Sequence, residues 1–160
     1  MYSGMTPSTY SWQKKIRKFV NEELIPWEVH AEMNNGEIPK EIENKHRKIA
    51  ASFGLSGMGV SKEGGGLNLS MFEQMIVWEQ LGRVTNALSW CFSEVQDWME
   101  ENFTAEQKNK YLKPLLNGDK KECYAITEKG AGSDVDGSIN TTAELVDDDY
   151  IINGEKWYVT

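Results

Sequence analysis

Apolar residues change their spacing near residue 120, and this change limits the chain to one fold class. Up to residue 119 they recur every three to four positions, which is the spacing of one face of an α-helix. From Lys120 they alternate with polar residues, a pattern typical of half-buried β-strands. The chain is therefore predicted to be α+β, with an all-helical domain at residues 1–119 and the start of a β-domain at residues 120–160.

About five helices are predicted in the first domain. The first is kinked or interrupted by Pro26. A second helix is expected between Pro39 and Gly54. A third follows Ser70 and Glu73, whose spacing predicts a capping box, and its mostly apolar surface marks it as the most buried helix. The apolar face of the first helix consists of Trp12, Ile16, Phe19, Val20 and Leu24.

Two more helices complete the first domain. One is predicted over residues 88–99, where apolar residues again follow a helical spacing. The other opens with a second capping box, formed by Thr104 and Gln107. Pro114 lies inside this last helix and predicts a kink or an early stop.

The second domain is predicted to contain three or four strands. Residues 123–127 form the first strand and residues 139–145 the next. A turn at residues 147–149 leads into a third strand, and Asn153 and Gly154 predict a type I′ hairpin to a last strand at residues 155–160. Because this last strand would leave backbone groups unpaired, we expect the chain to be the front of a longer protein or to need other polypeptide.

Composition excludes several classes of partner. The net charge of −8 disfavours binding to nucleic acid or to an anionic membrane. No stretch approaches the roughly 18 apolar residues of a membrane span, and the N-terminus lacks the layout of a signal peptide. The sequence predicts a soluble, cytoplasmic protein.

Cysteine and histidine are too few and too scattered to predict a metal site. Cys91 and Cys123 lie far apart and have neither the spacing of a metal site nor that of a disulfide framework. His30 and His46 have no cysteine or histidine neighbours. His46 lies on the apolar face of the second helix, so we interpret it as a packing residue rather than a base.

A glycine-containing loop at residues 130–134 is the strongest candidate for a binding site. Its two glycines leave the backbone free to adopt positive φ, so that successive N–H groups converge on an anion or an electron-rich ligand edge. Ser133 adds a hydroxyl group. An ordinary glycine-rich turn is the alternative. The other glycine run, residues 64–66, is not followed by Lys-Ser/Thr and is not a phosphate-binding loop.

Residues 124–134, Tyr-Ala-Ile-Thr-Glu-Lys-Gly-Ala-Gly-Ser-Asp, resemble the flavin-binding motif of the acyl-CoA dehydrogenase family. The resemblance continues through Gly137, residues 141–143, residues 153–156 and the final Tyr-Val-Thr. It covers essentially all of this chain and about two fifths of such an enzyme. It implies a helical N-terminal domain followed by the first strands of a β-barrel-like domain, with the family's C-terminal helical bundle absent.

The resemblance also implies FAD as the cofactor and assigns a role to several residues. Thr160 would donate its hydroxyl to flavin N5, where negative charge develops as hydride arrives. Ser133 would also contact the thioester substrate. The implied cofactor-binding residues are Tyr124, Ile126 and Thr127 along the ring system, Gly132 and Ser133 on the pyrophosphate side, and Tyr158 and Thr160 at the flavin face and N5.

Two residues depart from the family pattern. Lys129 replaces the usual proline, which loosens the loop and adds a cation near the phosphates. Tyr158 replaces the usual tryptophan over the flavin. Both changes leave binding feasible but make substrate preference and redox tuning harder to transfer from the family.

By resemblance, the reaction is α,β-desaturation of an acyl-CoA thioester, with hydride transfer to flavin N5 and electrons passed to an electron-transfer flavoprotein. The catalytic carboxylate is expected beyond residue 160, and Glu128 is interpreted as ordering its loop. The chain alone is therefore expected to be inactive, and the full-length protein to be a homotetramer. The alternatives are a non-catalytic helical module that pairs with another subunit, and a relative of acyl-CoA oxidase or nitroalkane oxidase.

Overall fold

The computed structural model describes residues 4–159 and divides into two compact units. The first unit ends at Lys121 and the second begins at Glu122. The first unit is helical, and the second contains two antiparallel strands whose sheet is not closed. Within residues 4–159, no helix has both the length and the apolar character needed to cross a membrane.

The first unit contains seven α-helices within its described residues. A π-helical turn at Val20–Leu24 and a 3₁₀ turn at Ile25–Trp27 join α1 to α2 without a break, and a second π-helical turn at Lys108–Leu112 joins α6 to α7. A 3₁₀ turn at Leu55–Gly57 follows α3. The helices are α1 (Pro7–Phe19), α2 (Glu28–Met33), α3 (Lys40–Ser52), α4 (Met71–Leu81), α5 (Asp97–Asn102), α6 (Ala105–Gln107) and α7 (Lys113–Leu116).

Both predicted capping boxes are confirmed. Ser70 Oγ accepts a hydrogen bond from Glu73 N at 3.3 Å, and Ser70 N donates to Glu73 Oε2 at 3.0 Å. Thr104 and Gln107 make the same reciprocal pair at the start of α6. Each box satisfies helix N–H groups that have no partner inside the helix.

A π-helical turn precedes each helix-interior proline. Pro26 follows the turn at Val20–Leu24, and Pro114 follows the turn at Lys108–Leu112. Proline has no N–H to bond the carbonyl four residues earlier. For Pro114 that carbonyl belongs to Lys110, and it accepts instead from Lys120 Nζ at 2.9 Å. A helix can therefore extend past Pro114 as far as Leu116.

The main core lies where α1 packs against α4. Arg17 Nε reaches across this contact to the buried Gln80 Oε1 at 2.9 Å, so the buried amide oxygen is satisfied. A smaller cluster lies between the α6–α7 helix and the preceding loops, and contains Val60, Val95, Leu112 and Leu115. The buried residues of the main core are Ile16, Phe19, Val20, Leu24, Ala50, Leu55, Met58, Val77, Leu81 and Cys91.

The helix predicted over residues 88–99 is wrong for most of its length. Only α5, at Asp97–Asn102, is helical there. Asn86 and Ala87 both have positive φ, so the backbone that leads into residue 88 is not helical. The following backbone bonds to distant residues, as in Val95 N to Ser56 O at 3.1 Å. Helical spacing identified the buried side chains Leu88, Cys91 and Val95 but not their backbone conformation.

In the second unit, β1 (Thr142–Val146) pairs with β2 (Asp149–Asn153). Thr142 lies opposite Asn153, and the turn lies at residues 147–148, where Asp147 has φ 54°. All ten strand residues are exposed. An isolated hairpin of this kind is marginally stable by itself.

Three further strand predictions are wrong. Residues 123–127 and the described residues of 155–160 are not strands, and Asn153 and Gly154 end β2 rather than turn a hairpin. The reason is that a strand exists only through its partner. Residues 123–127 have high β-propensity but no neighbouring ladder within residues 4–159.

Candidate functional site

The candidate loop closes as a tight turn. Glu128 N donates to Ala131 O and Ala131 N donates to Glu128 O, both at 3.1 Å, so that Lys129 and Gly130 form the tip. Neither Gly130 nor Gly132 lies in the left-handed region, and a Cβ on either would meet open space. The expectation that these two glycines use positive φ is therefore wrong for this structure.

The Glu128 carboxylate is the centre of the second unit. Its Oε2 accepts from Asn140 N at 2.7 Å, and its Oε1 accepts from Thr141 N at 3.0 Å. Lys156 Nζ donates to the same Oε1 at 2.8 Å. Glu128 is buried, so one side chain joins the loop to the residues before β1 and after β2. This agrees with its interpretation as a residue that orders the loop.

These contacts lower the pKa of the Glu128 carboxyl from 4.5 to about 2. The hydrogen bond from Lys156 contributes most, and the N–H groups of Asn140 and Thr141 act in the same direction, because each of these donors favours the ionised form. A carboxylate held in this way is a poor proton acceptor at neutral pH. Glu128 is therefore unsuited to act as a general base.

Ile126 and Thr127 use their carbonyl groups, and not their N–H groups, for hydrogen bonding within the described chain. Ile126 O accepts from Lys156 Nζ at 3.1 Å, and Thr127 O accepts from Trp157 N at 2.8 Å. Within residues 4–159, neither residue's main-chain N–H donates a hydrogen bond.

Two exposed tyrosines lie close to this segment in different ways: Tyr124 comes two residues before Ile126, and Tyr158 directly follows Trp157, whose N–H bonds Thr127 O. Tyr124 is 81% exposed and Tyr158 is 85% exposed. Tyr158 has φ 54°, and its ring contacts the ring of Trp157 edge-on at 5.9 Å between centroids. Lys129 Nζ lies 5.8 Å from the Trp157 ring centroid. Exposed aromatic rings of this size are suited to cover a flat ligand.

The structure places Gly132 and Ser133 on the exposed part of the loop. The next residue, Asp134, stabilises the following turn by accepting from Gly137 N at 3.1 Å and from the hydroxyl of Ser138. Thr160 lies outside the described residues. Of the predicted site residues, Thr127 lies close to Tyr158 in the chain contacts, because it bonds the preceding residue, Trp157. The roles implied for Gly132, Ser133 and Thr160 stay predictions.

Lys156 and Trp157 are the residues whose importance the sequence pattern did not reveal. Lys156 bonds both Glu128 and Ile126, although 28 and 30 positions separate it from them. The only signal was the match of residues 153–156 to the family motif. Trp157 donates its backbone N–H to Thr127 O, and its ring contacts Tyr158 and Lys129. No sequence pattern predicts either contact.

The helical unit has a cavity of about 440 Å³ that His46, Glu43, Lys40, Trp90 and Cys91 help to line. Both ring nitrogens of His46 are enclosed by protein and have no hydrogen-bond partner within the described chain. A molecule in the cavity could not reach these nitrogens. In residues 4–159, no group of three or more His, Cys, Asp or Glu side chains is arranged to hold a metal ion.

Comparison with known proteins identifies relatives along nearly the whole chain. Residues 6–119 match the family model for the N-terminal domain of acyl-CoA dehydrogenase. A short-chain specific acyl-CoA dehydrogenase of Clostridium acetobutylicum is 35% identical, and the match covers 92% of this chain and 38% of that protein. Subunit CarC of the caffeyl-CoA reductase-Etf complex of Acetobacterium woodii is also 35% identical, over 92% of this chain and 39% of that protein.

A 3-(aryl)acrylate reductase of Clostridium sporogenes is 34% identical over 92% of this chain and 39% of its own length. The chain thus spans about two fifths of the length of the curated relatives it matches. Solved structures agree in fold. A glutaryl-coenzyme A dehydrogenase in complex with glutaryl-CoA matches with a TM-score of 0.83 and 27% identity, over 99% of this chain and 40% of that chain.

An acyl-CoA dehydrogenase of Bacillus anthracis complexed with FAD matches with a TM-score of 0.74 and 26% identity, over 98% of this chain and 27% of that chain. The match to the family model over residues 6–119 covers more than half of the chain. This chain belongs to the acyl-CoA dehydrogenase family.

Proposed function

We propose that this chain contributes part of the flavin site of an FAD-dependent oxidoreductase that acts on acyl-CoA thioesters. The observation that supports the proposal most directly is the hydrogen bonding of the backbone of residues 126–127. Their carbonyls are held by Lys156 and Trp157, whereas their N–H groups are free within the described chain. A flavin presents several acceptor atoms along one edge of its ring system, and free backbone donors suit such an edge.

Each candidate residue has a role in the proposal. The N–H groups of Ile126 and Thr127 would donate to the ring edge, and Tyr124 and Tyr158 would cover its faces. Gly132 and Ser133 would lie on the pyrophosphate side, with Ser133 also near the thioester, and Thr160 would donate its hydroxyl at N5. When bound, FAD would accept a hydride, which carries both electrons removed from the substrate.

The chain's own residues in this proposal bind and orient; they do not move the substrate proton. Glu128 is excluded as the base because its carboxylate is already occupied by three donors. The carboxylate that removes the α-proton is proposed to come from outside these residues. An electron-transfer flavoprotein is the proposed electron partner, since one relative is named as a subunit of a reductase-Etf complex.

A second direction of reaction is favoured by the names of two relatives. The proteins from Acetobacterium woodii and Clostridium sporogenes, 35% and 34% identical, are both reductases. The same site would then reduce the carbon–carbon double bond that lies between an aryl group and the carbonyl of the acyl group. The dehydrogenase relative, at 35% identity, supports the desaturation direction equally.

Titration of the ¹⁵N-labelled protein with FAD tests the proposed site. We expect the amide resonances of Ile126 and Thr127 to move together with those of Gly132 and Ser133. Substitution of Tyr124 or Tyr158 by alanine should weaken FAD binding by roughly fivefold to tenfold, the loss expected for one aromatic contact.

Tyr150→Ala is the matched control. Tyr150 is also in the second unit and is 68% exposed, but it lies on β2. Its removal should leave FAD binding unchanged. Equal weakening by all three substitutions, or resonance changes confined to the hairpin, would show that FAD does not use residues 126–127.

A further inference from the structure

Lys156 donates to an atom that shares a peptide group with one of the proposed flavin donors. Its Nζ lies 3.1 Å from Ile126 O, and the same nitrogen lies 2.8 Å from Glu128 Oε1. Ile126 O and Thr127 N belong to one planar peptide unit. The carbonyl end of this unit therefore bonds a cation, while its N–H end makes no hydrogen bond within residues 4–159.

A cation that bonds the oxygen of a peptide group strengthens the N–H of the same group as a hydrogen-bond donor. Electron density moves from nitrogen toward the carbonyl oxygen, so the N–H becomes more polar and a stronger donor. Hydrogen bonds in which one partner is charged are also shorter and stronger than neutral ones. The Lys156 side chain is about 25% exposed, so water does not fully screen this effect.

Glu128 holds the ammonium group of Lys156 in place. Glu128 is itself fixed by the N–H groups of Asn140 and Thr141, at 2.7 Å and 3.0 Å. It therefore anchors the ammonium group beside Ile126 O. The neighbouring carbonyl of Thr127 has only a neutral donor, Trp157 N. Thr127 N–H is consequently the donor that this arrangement strengthens, rather than the whole segment equally.

We propose that Lys156 is a positioning residue that strengthens the Thr127 N–H as a hydrogen-bond donor toward an electron-rich ligand edge. The identity of that edge as a flavin rests on the function proposed above. Lys156 touches neither cofactor nor substrate in this proposal; it acts through the Ile126–Thr127 peptide. A donor of this kind favours the more negative, reduced form of a bound ring.

Substitution of Lys156 by glutamine and by arginine tests the proposal in the full chain. In Lys156→Gln we expect the Thr127 amide proton to resonate upfield and to exchange more slowly with base, because a less polar N–H is less acidic. FAD binding should weaken by at most about twofold, because one hydrogen bond strengthens the next by only about 10–30%. The reduction potential of bound FAD should fall. Lys156→Arg retains a cationic donor and should restore all of these properties.

Lys129→Gln is the matched control, because Lys129 is a cation of the same unit that lies over Trp157 and not on this peptide. It should not affect Thr127. The amide resonances of Asn140 and Thr141 report whether Glu128 still holds the loop. Should Lys156→Gln unfold the unit, the wild-type protein carries the test. Relative to their intrinsic rates, the Thr127 amide should exchange with base faster than the Ile126 amide, because the Ile126 N–H belongs to a different peptide group from the one that Lys156 bonds.

The outcomes separate this proposal from the assignment of the flavin. A Thr127 amide that does not respond to Lys156→Gln while Asn140 and Thr141 keep their resonances would overturn the role of Lys156. A wild-type Thr127 amide that exchanges no faster than the Ile126 amide would overturn it as well. A Thr127 amide that responds as expected in a protein that takes up no FAD would support the role of Lys156 and overturn the flavin assignment.

Discussion

Glu128 Oε1 and Lys156 Nζ lie 2.8 Å apart, and this ion pair connects the candidate loop to the chain after β2. The pair is enclosed on the carboxylate side, where Glu128 is buried. The backbone N–H groups of Asn140 and Thr141 complete the coordination of the carboxylate. Since no regular strand contains either residue, the local structure depends on this side-chain network more than on a β-ladder.

The Glu128 network should make the second unit sensitive to acid. Its pKa is lowered from 4.5 to about 2, chiefly by Lys156, so the folded state binds the proton less readily than the unfolded state. The stabilisation is therefore complete above about pH 4.5 and is lost as the pH falls toward 2. Hydrogen exchange of the Asn140 and Thr141 amides measures it. Glu128→Gln should accelerate their exchange at neutral pH and remove the acid dependence.

Glu144→Gln is the control for this prediction, because Glu144 is exposed on β1. It should leave exchange at Asn140 and Thr141 unchanged. Exchange that stays slow in Glu128→Gln would mean that the network does not hold this loop.

Gly154→Ala should destabilise the second unit. Gly154 has φ 155°, and a Cβ there would lie 2.2 Å from Thr141 Oγ1 and 2.8 Å from Thr141 Cα. The backbone atom cannot move away cheaply, so we expect a loss of about 1–3 kcal/mol. Gly130→Ala is the matched control, since its Cβ would meet nothing within 4 Å. Local unfolding measured by hydrogen exchange along β2 should separate the two variants.

His46 should make the helical unit less stable below neutral pH. Burial lowers the pKa of His46 from 6.5, against the opposing effect of Glu23, so the unfolded state binds the proton more readily. Stability is then complete above about pH 6.5 and decreases as the pH falls below it. Urea unfolding at about pH 7.5 and about pH 5 measures the difference.

His46→Leu should abolish this dependence. His30→Leu is the control, since His30 is exposed on α2. A pH dependence that survives in His46→Leu and disappears in His30→Leu would contradict the prediction.

Ser70→Ala should destabilise the helical unit by about 1 kcal/mol. Ser70 Oγ is the acceptor for Glu73 N at the start of α4, which packs against α1 in the main core. Ser70→Thr retains a capping hydroxyl, which can both accept from Glu73 N and donate to its carboxylate, and should stay close to wild type. Thermal unfolding followed by circular dichroism compares the two variants. Equal loss in both would indicate that the cap itself contributes little.

Local patterns predicted the helical part of the fold well where the determining contacts are near in sequence. The capping boxes at Ser70 and Thr104 join residues three positions apart, and both are present as expected. The apolar face from Trp12 to Leu24 is the face that packs in the core. The bounds of α3 and α4 follow from the same local signals. Such contacts leave a readable spacing because the helix repeat is fixed.

The predictions failed where distant residues provide the hydrogen bonds. Thr85 N donates to Glu28 Oε1 at 2.8 Å and Val95 N donates to Ser56 O, so the chain between α4 and α5 follows partners that no local pattern reveals. Residues 123–127 likewise have the composition of a strand but no ladder. For the candidate site, sequence motifs identified the residues, while the roles implied for them stay predictions.

The sequence by itself determined the order of a helical part and a β-part, the capped starts of the helices and, through its motifs, the family. Only the tertiary structure decided that Glu128 accepts from residues 12, 13 and 28 positions away, and that Lys156 reaches the Ile126 carbonyl. The physical reason is the range of the interactions. Capping and helical spacing act within one or two turns of chain, whereas the network around Glu128 joins residues that are distant in sequence and lie together because β1 pairs with β2.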